Sequence, residues 1–349
     1  ISNADTVVVQ IRNGSTGAQR AWYSTTIATW TEITDVDFTG LSHRGKMEHM
    51  NGVAFICDNT AKAVNNSDLN SLSAWSADSY IPKNITQDEM QWLAKLNLLL
   101  LAFGSETVEV FNYTGSDVAS PLGRTGIEVN IGLDSQIVAG YTHYYTEMNG
   151  RLYFVGREAA AISLAAWSFD GQRFEQISSS AIDAILTENS GSNFSVNKIM
   201  FRGMEAVAFA LDATTAATQR WLLFFPAWKE WFEWQSTIFT PVNNGEWFLG
   251  PGTNQHLLRR ISRAPSNWQD AGTDFTWTHQ FKLPTKNGNA RKRMDMFGVV
   301  GDTARSASSL NVAFSDDDWQ TLSTARVIDM TSADKKLTRC GSYRDRGVR

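Results

Sequence analysis

Proline and cysteine are both scarce in this sequence, with 7 and 2 among 349 residues. The two thiols, Cys57 and Cys340, stand far apart. Such a pair excludes a disulfide framework and a zinc spacing. It fits a chain made in a reducing compartment, where a free thiol behaves as a small hydrophobe. Long apolar runs are also missing. The longest, Leu98 to Phe103, is about six residues, against the roughly 20 that a helical membrane span needs. A basic surplus is absent: 31 basic residues face 36 acidic ones, for a net charge of -5. Proteins that grip phosphate usually carry a basic face. The balance argues against tight, sequence-independent nucleic-acid binding and permits transient passage of DNA along a surface that does not hold it. The chain begins at Ile1 rather than Met, and we read one or both natural ends as missing.

Aromatic residues are plentiful, with 13 Trp, 19 Phe and 8 Tyr. A hydrophobic share of 42% excludes a disordered chain. Aromatic and β-branched residues suit half-buried pleated surfaces. The punctuation is Gly and Asn. Asn13-Gly14, Asn51-Gly52, Asn149-Gly150, Asp170-Gly171 and Asn244-Gly245 are hairpin-turn dipeptides beside short apolar runs. Runs over 6–12, 53–57, 98–103, 107–113, 151–155, 162–169, 206–211, 220–225, 246–249, 275–283 and 311–314 read as strands. Blade-like starts recur every ~40 to 55 residues, near the four-strand period of a propeller. The expected fold is all-β and β-propeller-like, with about six blades of antiparallel strands and little helix, in a single large domain over 1–349. A protruding loop is expected near 286–293. Two helical stretches are expected. Thr86 to Glu89 matches a capping box, with Thr86 as N-cap, leading into 90–96. The other runs from Ser179 to Leu186.

A search for chemistry finds little. The five histidines, His43, His49, His143, His256 and His279, form no metal spacing. His43 and His49 read as part of a solvated, mixed-charge loop. No nucleophile elbow, P-loop or dinucleotide fingerprint is present. The expectation is a non-enzyme without cofactor, metal or small-molecule substrate. Three features carry weaker signals. Ser315, Asp317 and Thr321 resemble the Asp box of sialidase-like propellers, a structural turn in which a carboxylate and hydroxyls bond backbone N–H groups. Trp319 and Leu322 depart from that pattern. Arg291, Lys292 and Arg293 form a possible interaction loop, although a charge run is usually solvated. The aromatics from Trp221 to Trp234 read as two strands joined at 226–229 and wedged between blades. The other reading of them is a stacking platform.

The sharpest segment is Phe103 to Gly115, FGSETVEVFNYTG. It resembles a segment of the packaged-DNA stabilisation or tail-hub (nozzle) proteins of short-tailed phages. Further pieces follow in the family's order. They are Gly126-Ile127-Glu128 with Gly132, Gly150 to Gly156, Gln176-Ile177-Ser178 with Ala181-Ile182 and Ala184-Ile185, Trp221 with 231–236, Phe314 to Asp317, and Gly341 to Arg346. Gln176 stands where the family often has Arg, and Ser179-Ser180 replace its Thr-His. The resemblance covers roughly residues 50–349 and implies a virion structural protein, assembled in the bacterial host cytoplasm. It implies a homo-oligomer, a six-copy ring in the tail. Its neighbours would be the adaptor and portal on one side and a distal needle or fibres on the other. Such a ring lines and closes the channel for dsDNA, retains the genome and releases it at ejection. The alternative is a propeller glycosidase or a glycan- or receptor-binding tail protein.

Overall fold

The computed structural model describes residues 6–12, 19–26, 28–83, 88–116, 119–133, 145–158, 161–189, 194–201, 204–211, 219–236, 240–242, 247–249, 258–260, 269–270, 273–274, 277–278, 281–282, 292–299, 309–316, 321–343 and 347–348. The chain divides into two compact units, Ile1–Trp231 with Gln235–Asp274, and Phe232–Trp234 with Phe275–Arg349.

The first unit is a succession of antiparallel meanders. β1 (Val7–Arg12), β2 (Gln19–Ser24) and β3 (Thr31–Glu32) form a three-stranded sheet, followed by the short helix α1 (Val36–Thr39). The second sheet takes β4 (His43–Met50), β5 (Val53–Asp58), β6 (Ala63–Ser67) and β7 (Trp75–Pro82) in order. The third takes β8 (Met90–Leu96), β9 (Leu99–Gly104), β10 (Val108–Tyr113) and β11 (Leu122–Val129). The fourth has β13 (Tyr145–Met148), β14 (Arg151–Glu158), β15 (Ala165–Phe169) and β16 (Phe174–Gln176), with β12 (Ile131–Gly132) also beside β14. After helix α2 (Ser180–Glu188), the fifth has β17 (Ser195–Phe201), β18 (Met204–Leu211), β19 (Gln219–Phe225) and β20 (Glu230–Ser236). Residues Thr240–Val242, Trp247–Leu249 and Leu258–Arg260 make a further three-stranded sheet.

Turn chemistry sets this pattern. Asn51-Gly52 and Asn149-Gly150 both hold positive φ, at 48° and 86° and at 54° and 71°. These are the angles that a two-residue hairpin demands and that Asn and Gly tolerate. The first strands of sheets two to five begin at residues 43, 90, 145 and 195. This spacing matches the blade period expected from the sequence.

Successive sheets bury each other face to face. Ala21, Ile33 and Phe38 meet Ala54, Ile56 and Trp75 between the first and second sheets. Phe55, Cys57 and Val64 meet Leu93, Leu100 and Phe111 between the second and third. One larger cluster joins the third, fourth and fifth through Phe103, Val110, Phe154, Phe169, Phe209 and Phe224. Phe103 meets Phe154 edge-on at 5.0 Å. A sheet covered on both faces needs continuous apolar strands rather than alternating ones. Accordingly β5 is buried at every position. Four-stranded meanders stacked this way are the blades of a β-propeller.

Two local expectations are corrected. Residues 90–96 form strand β8, not the helix expected after a capping box; Thr86 lies outside the described residues. The reason is two-sided burial: six of the seven positions of β8 are buried, whereas a surface helix would bury one stripe. His43 to Met50 is strand β4, not a solvated loop. Its register shifts between Arg44 and Glu48. This bulge and the positive φ of Gly45, at 69°, let a charged sequence enter the sheet. The helix expected from Ser179 is present as α2, with Ser179 at its N-cap position.

The second unit has its own small core of Val312, Phe314, Ile328, Leu337, Cys340 and Val348. Its described strands pair as short two- and three-stranded sheets, including Ser309–Val312 with Arg326–Asp329.

The packing generates a contrast to test. Phe154 is fully buried and also meets Phe174 at 6.2 Å. Phe154→Ala should cost about 3–5 kcal/mol, read as a lower urea midpoint. Trp228, 54% exposed in the β19–β20 turn, should cost under ~1 kcal/mol as Trp228→Ala.

Candidate functional site

The motif segment Phe103 to Gly115 folds as the end of β9, a tight turn and β10. Beneath that turn lies a buried polar cluster. Lys83 enters from the end of the second sheet, its backbone N–H bonded to the Lys62 carbonyl at 2.9 Å. Its ammonium donates to Asp88 Oδ1, to Thr107 Oγ1 and, at 3.0 Å, to the Thr107 carbonyl. Asp88 Oδ2 accepts the backbone N–H groups of Glu106 and Thr107 at 2.6 and 2.9 Å. The Lys83 and Asp88 side chains are only 1% and 3% exposed. Buried charges survive when paired and hydrogen-bonded, and here every donor of the ammonium has an acceptor.

Gly104 is what lets the cluster close. A Cβ there would stand 2.1 Å from Asp88 Oδ2 and 2.4 Å from Lys83 Nζ. On the other side, Gly132 of β12 lies against the same turn; a Cβ on it would meet the Ser105 carbonyl oxygen at 2.0 Å. The Leu133 N–H donates to the Gly104 carbonyl at 2.9 Å. The turn is therefore gripped by the second sheet on one side and the fourth on the other. Glu109, at the next outward position of β10, pairs with Arg124 of β11, whose guanidinium also donates to the Pro82 carbonyl. Thr107 and Glu109, two of the polar residues of the motif, are both tied to the second sheet's exit, through Lys83 and through Arg124 with Pro82.

A second cluster joins the first strands of successive sheets. The Tyr145 hydroxyl of β13 donates to Glu48 of β4. Lys46 lies 3.0 Å from Glu48 Oε1 and 4.5 Å above the Tyr145 ring. Lys95 of β8 donates to the His49 carbonyl at 3.1 Å. Burial raises the Tyr145 phenol well above its ordinary value, and the Glu48 charge and hydrogen bond raise it further. Burial, then Lys95, lowers His49. Burial likewise pushes the Cys57 thiol up, leaving it an inert core residue.

The residues singled out in the sequence fare unevenly. Ser315 sits buried in a short strand, opposite Gly347. Asp317 lies outside the described residues, and Thr321 is exposed. Nearby, the Ser323 N–H donates to the Phe314 carbonyl at 2.8 Å, and Ser323 Oγ accepts the Phe314 N–H at 2.9 Å. Arg291 is outside the described residues. Lys292 and Arg293 form a strand pair with Tyr343 and Ser342, and Arg293 meets Asp295 at 2.6 Å. The aromatic run does form two strands. Trp231 tilts against Phe209 and Phe224 at 5.2 and 5.0 Å and donates to the Ile177 carbonyl. Among the described residues, no group of three or more His, Cys, Asp or Glu is placed to hold a metal ion. Sequence reasoning missed Lys83, Asp88 and Tyr145; a lone Lys or Asp beside a loop carries no pattern.

The motif and its stacked meanders agree with one family model, a phage-stabilisation family described as Bacteriophage P22 Gp10, beta-propeller, which matches residues 4–219. The chain belongs to this family. The matched span contains the Phe103–Gly115 motif and both polar clusters; Phe314 to Asp317 and Gly341 to Arg346 lie beyond it. Among curated proteins, none matches the sequence. Similar solved structures include virginiamycin B lyase from Staphylococcus aureus, at 12% identity over 81% of this chain and 76% of that one, TM-score 0.38. Hsv2 from Kluyveromyces lactis matches at 8% identity, over 70% and 71%, TM-score 0.40. BamB from Moraxella catarrhalis matches at 12%, over 75% and 90%, TM-score 0.35.

Two measurements check the clusters of this phage-stabilisation propeller. Lys83→Met leaves Asp88 buried without its cation and should cost about 3–5 kcal/mol. Adding Asp88→Leu should not restore stability, because the Glu106 and Thr107 N–H groups then lose their acceptor. Both are read by chemical denaturation. Tyr145 has a folded-state value raised above the unfolded one. Its contribution is complete below pH ~10 and is lost as pH rises above that value. Tyr145→Phe should therefore flatten the alkaline loss of stability in a pH series of melting curves.

Proposed function

We propose that this chain is a structural component of a short-tailed phage tail, a hub or nozzle ring that retains packaged DNA and releases it at ejection. The observation that carries the reading is the family match over residues 4–219, with its motif turned into the inter-sheet clamp at Gly104. The protein's task is then mechanical. A wall beside pressurised DNA must keep its sheets from shearing. Face-to-face aromatic packing and a buried ion pair at the sheet junctions supply that stiffness.

The inner strands bear on where DNA would run. Tyr145, Glu48 and Lys46 meet across the first strands of the second and fourth sheets. A duplex whose major groove alone is about 12 Å wide has no path there. On this reading the channel is enclosed by several copies, with a homo-oligomeric ring of six as the expected assembly. Adaptor and portal proteins would adjoin one side, and a needle or fibres the other. The net charge of -5 limits the counterion-release attraction that would hold DNA back.

Particles assembled without this chain should package DNA and then lose it, measured as nuclease-sensitive genome. Native mass measurement of the purified chain with its tail neighbours should give a six-copy ring. A monomer under all conditions, together with full genome retention in its absence, rejects the reading.

A further inference from the structure

The clamp at Gly104 holds an amine against a carboxyl group, out of water. The Lys83 and Asp88 side chains are 1% and 3% exposed, and Lys83 Nζ donates to Asp88 Oδ1. The two oxygens of Asp88 have different surroundings. Oδ2 accepts the Glu106 and Thr107 N–H groups, at 2.6 and 2.9 Å. Two backbone donors converging on one carboxyl oxygen are the arrangement that stabilises a tetrahedral oxyanion. Oδ1 faces the amine and the Thr107 hydroxyl, which donates to it at 3.2 Å. Lys83 Nζ donates in turn to that hydroxyl. The chain from Nζ through Thr107 Oγ1 to Oδ1 is a continuous path along which a proton can leave the nucleophile and reach the departing oxygen.

Burial supplies the driving force. Removal from water penalises both the ammonium and the carboxylate and favours their neutral forms. A desolvated, neutral lysine is a nucleophile. Condensation would replace two buried charges with one neutral amide. The carbonyl of that amide, the former Oδ2, keeps the Glu106 and Thr107 N–H groups. Its N–H has the Thr107 carbonyl, 3.0 Å from Nζ. Both polar groups of the product thus have partners already in place, which is what a buried amide needs.

We infer that Lys83 and Asp88 condense to an intramolecular isopeptide bond, and that the ion pair is its unreacted state. Nζ attacks Cγ, negative charge gathers on Oδ2, and the Cγ–Oδ1 bond breaks. Oδ1 departs as water with two of the three ammonium protons, and the third remains on the amide nitrogen. No oxidant, metal or cofactor is consumed. Lys83 directly follows β7, and Asp88 stands just before β8. The bond therefore staples the second sheet to the third, bypassing residues 84–87. It would form whether or not the chain serves in a tail.

Mass measurement on the purified full chain tests it. The linked chain is lighter than its sequence by one water. Trypsin does not cut after an acylated lysine. A digest of the unfolded chain should therefore yield residues 63–95 as one peptide lacking one water, in place of 63–83 and 84–95. Lys83→Arg keeps the charge pair and removes the nucleophile, so it should keep its full mass. Thr107→Val keeps the backbone donors and removes the hydroxyl. It should slow the linkage by about a hundredfold or more, read as the fraction linked at set times after a pulse of synthesis. A folded wild-type chain of full mass that trypsin cuts after Lys83 overturns the inference. So does a lost water that persists in Lys83→Arg. Thr107→Val linking as fast as the wild type overturns the proton path.

Discussion

The glycine turn at 104–107 is the constraint on which the rest depends. Three sheets converge on it, and neither flank has room for a methyl group. The close approach at Gly104 brings Asp88 under the turn, and Asp88 in turn binds the turn's own N–H groups. Lys83 then completes the charge balance from the second sheet. Each contact presupposes the others, so the junction is one unit rather than a sum of hydrogen bonds. Removing any member leaves a buried charge or an orphaned backbone group.

Two-sided burial explains most of what the sequence displayed. Strands between two sheets must be apolar on both faces, so β5 and β15 read as short continuous runs. Their length, with Asn51-Gly52 before the one and Asp170-Gly171 after the other, identifies them as strands, and the period between turn dipeptides identifies blades. The same feature misleads at 90–96. Met90, Leu93 and Ala94 after a Thr-x-x-Glu signature fit a helix start as well as a buried strand, and periodicity cannot separate the two in seven residues. At 43–50 the error has the opposite cause. Charges normally mark solvent, but Lys46 and Glu48 neutralise each other beneath Tyr145, a partner nearly a hundred residues away.

The candidate site was legible as a motif and not as a mechanism. Phe103 to Gly115 could be recognised, and its turn, strands and glycine followed from local rules. What Thr107 and Glu109 do could not, because their partners Lys83, Asp88 and Arg124 come from other strands and loops and carry no spacing signal.

A buried ion pair is an uneconomical way to gain stability, since apolar residues of the same volume often do as well. Its value at this junction lies in direction. Apolar faces between sheets tolerate sliding, because one Phe or Leu contact replaces another at little cost. The Lys83 ammonium has one geometry in which all three of its hydrogen bonds are made, and the Asp88 carboxylate has one in which it meets two backbone N–H groups. Sliding the second sheet past the third by a single residue would break all of these at once, in a site too tight for water. The aromatic layers thus supply cohesion, and the polar junction fixes the register in which they cohere. A protein whose proposed task is to withstand pressure along a channel needs the second property as much as the first.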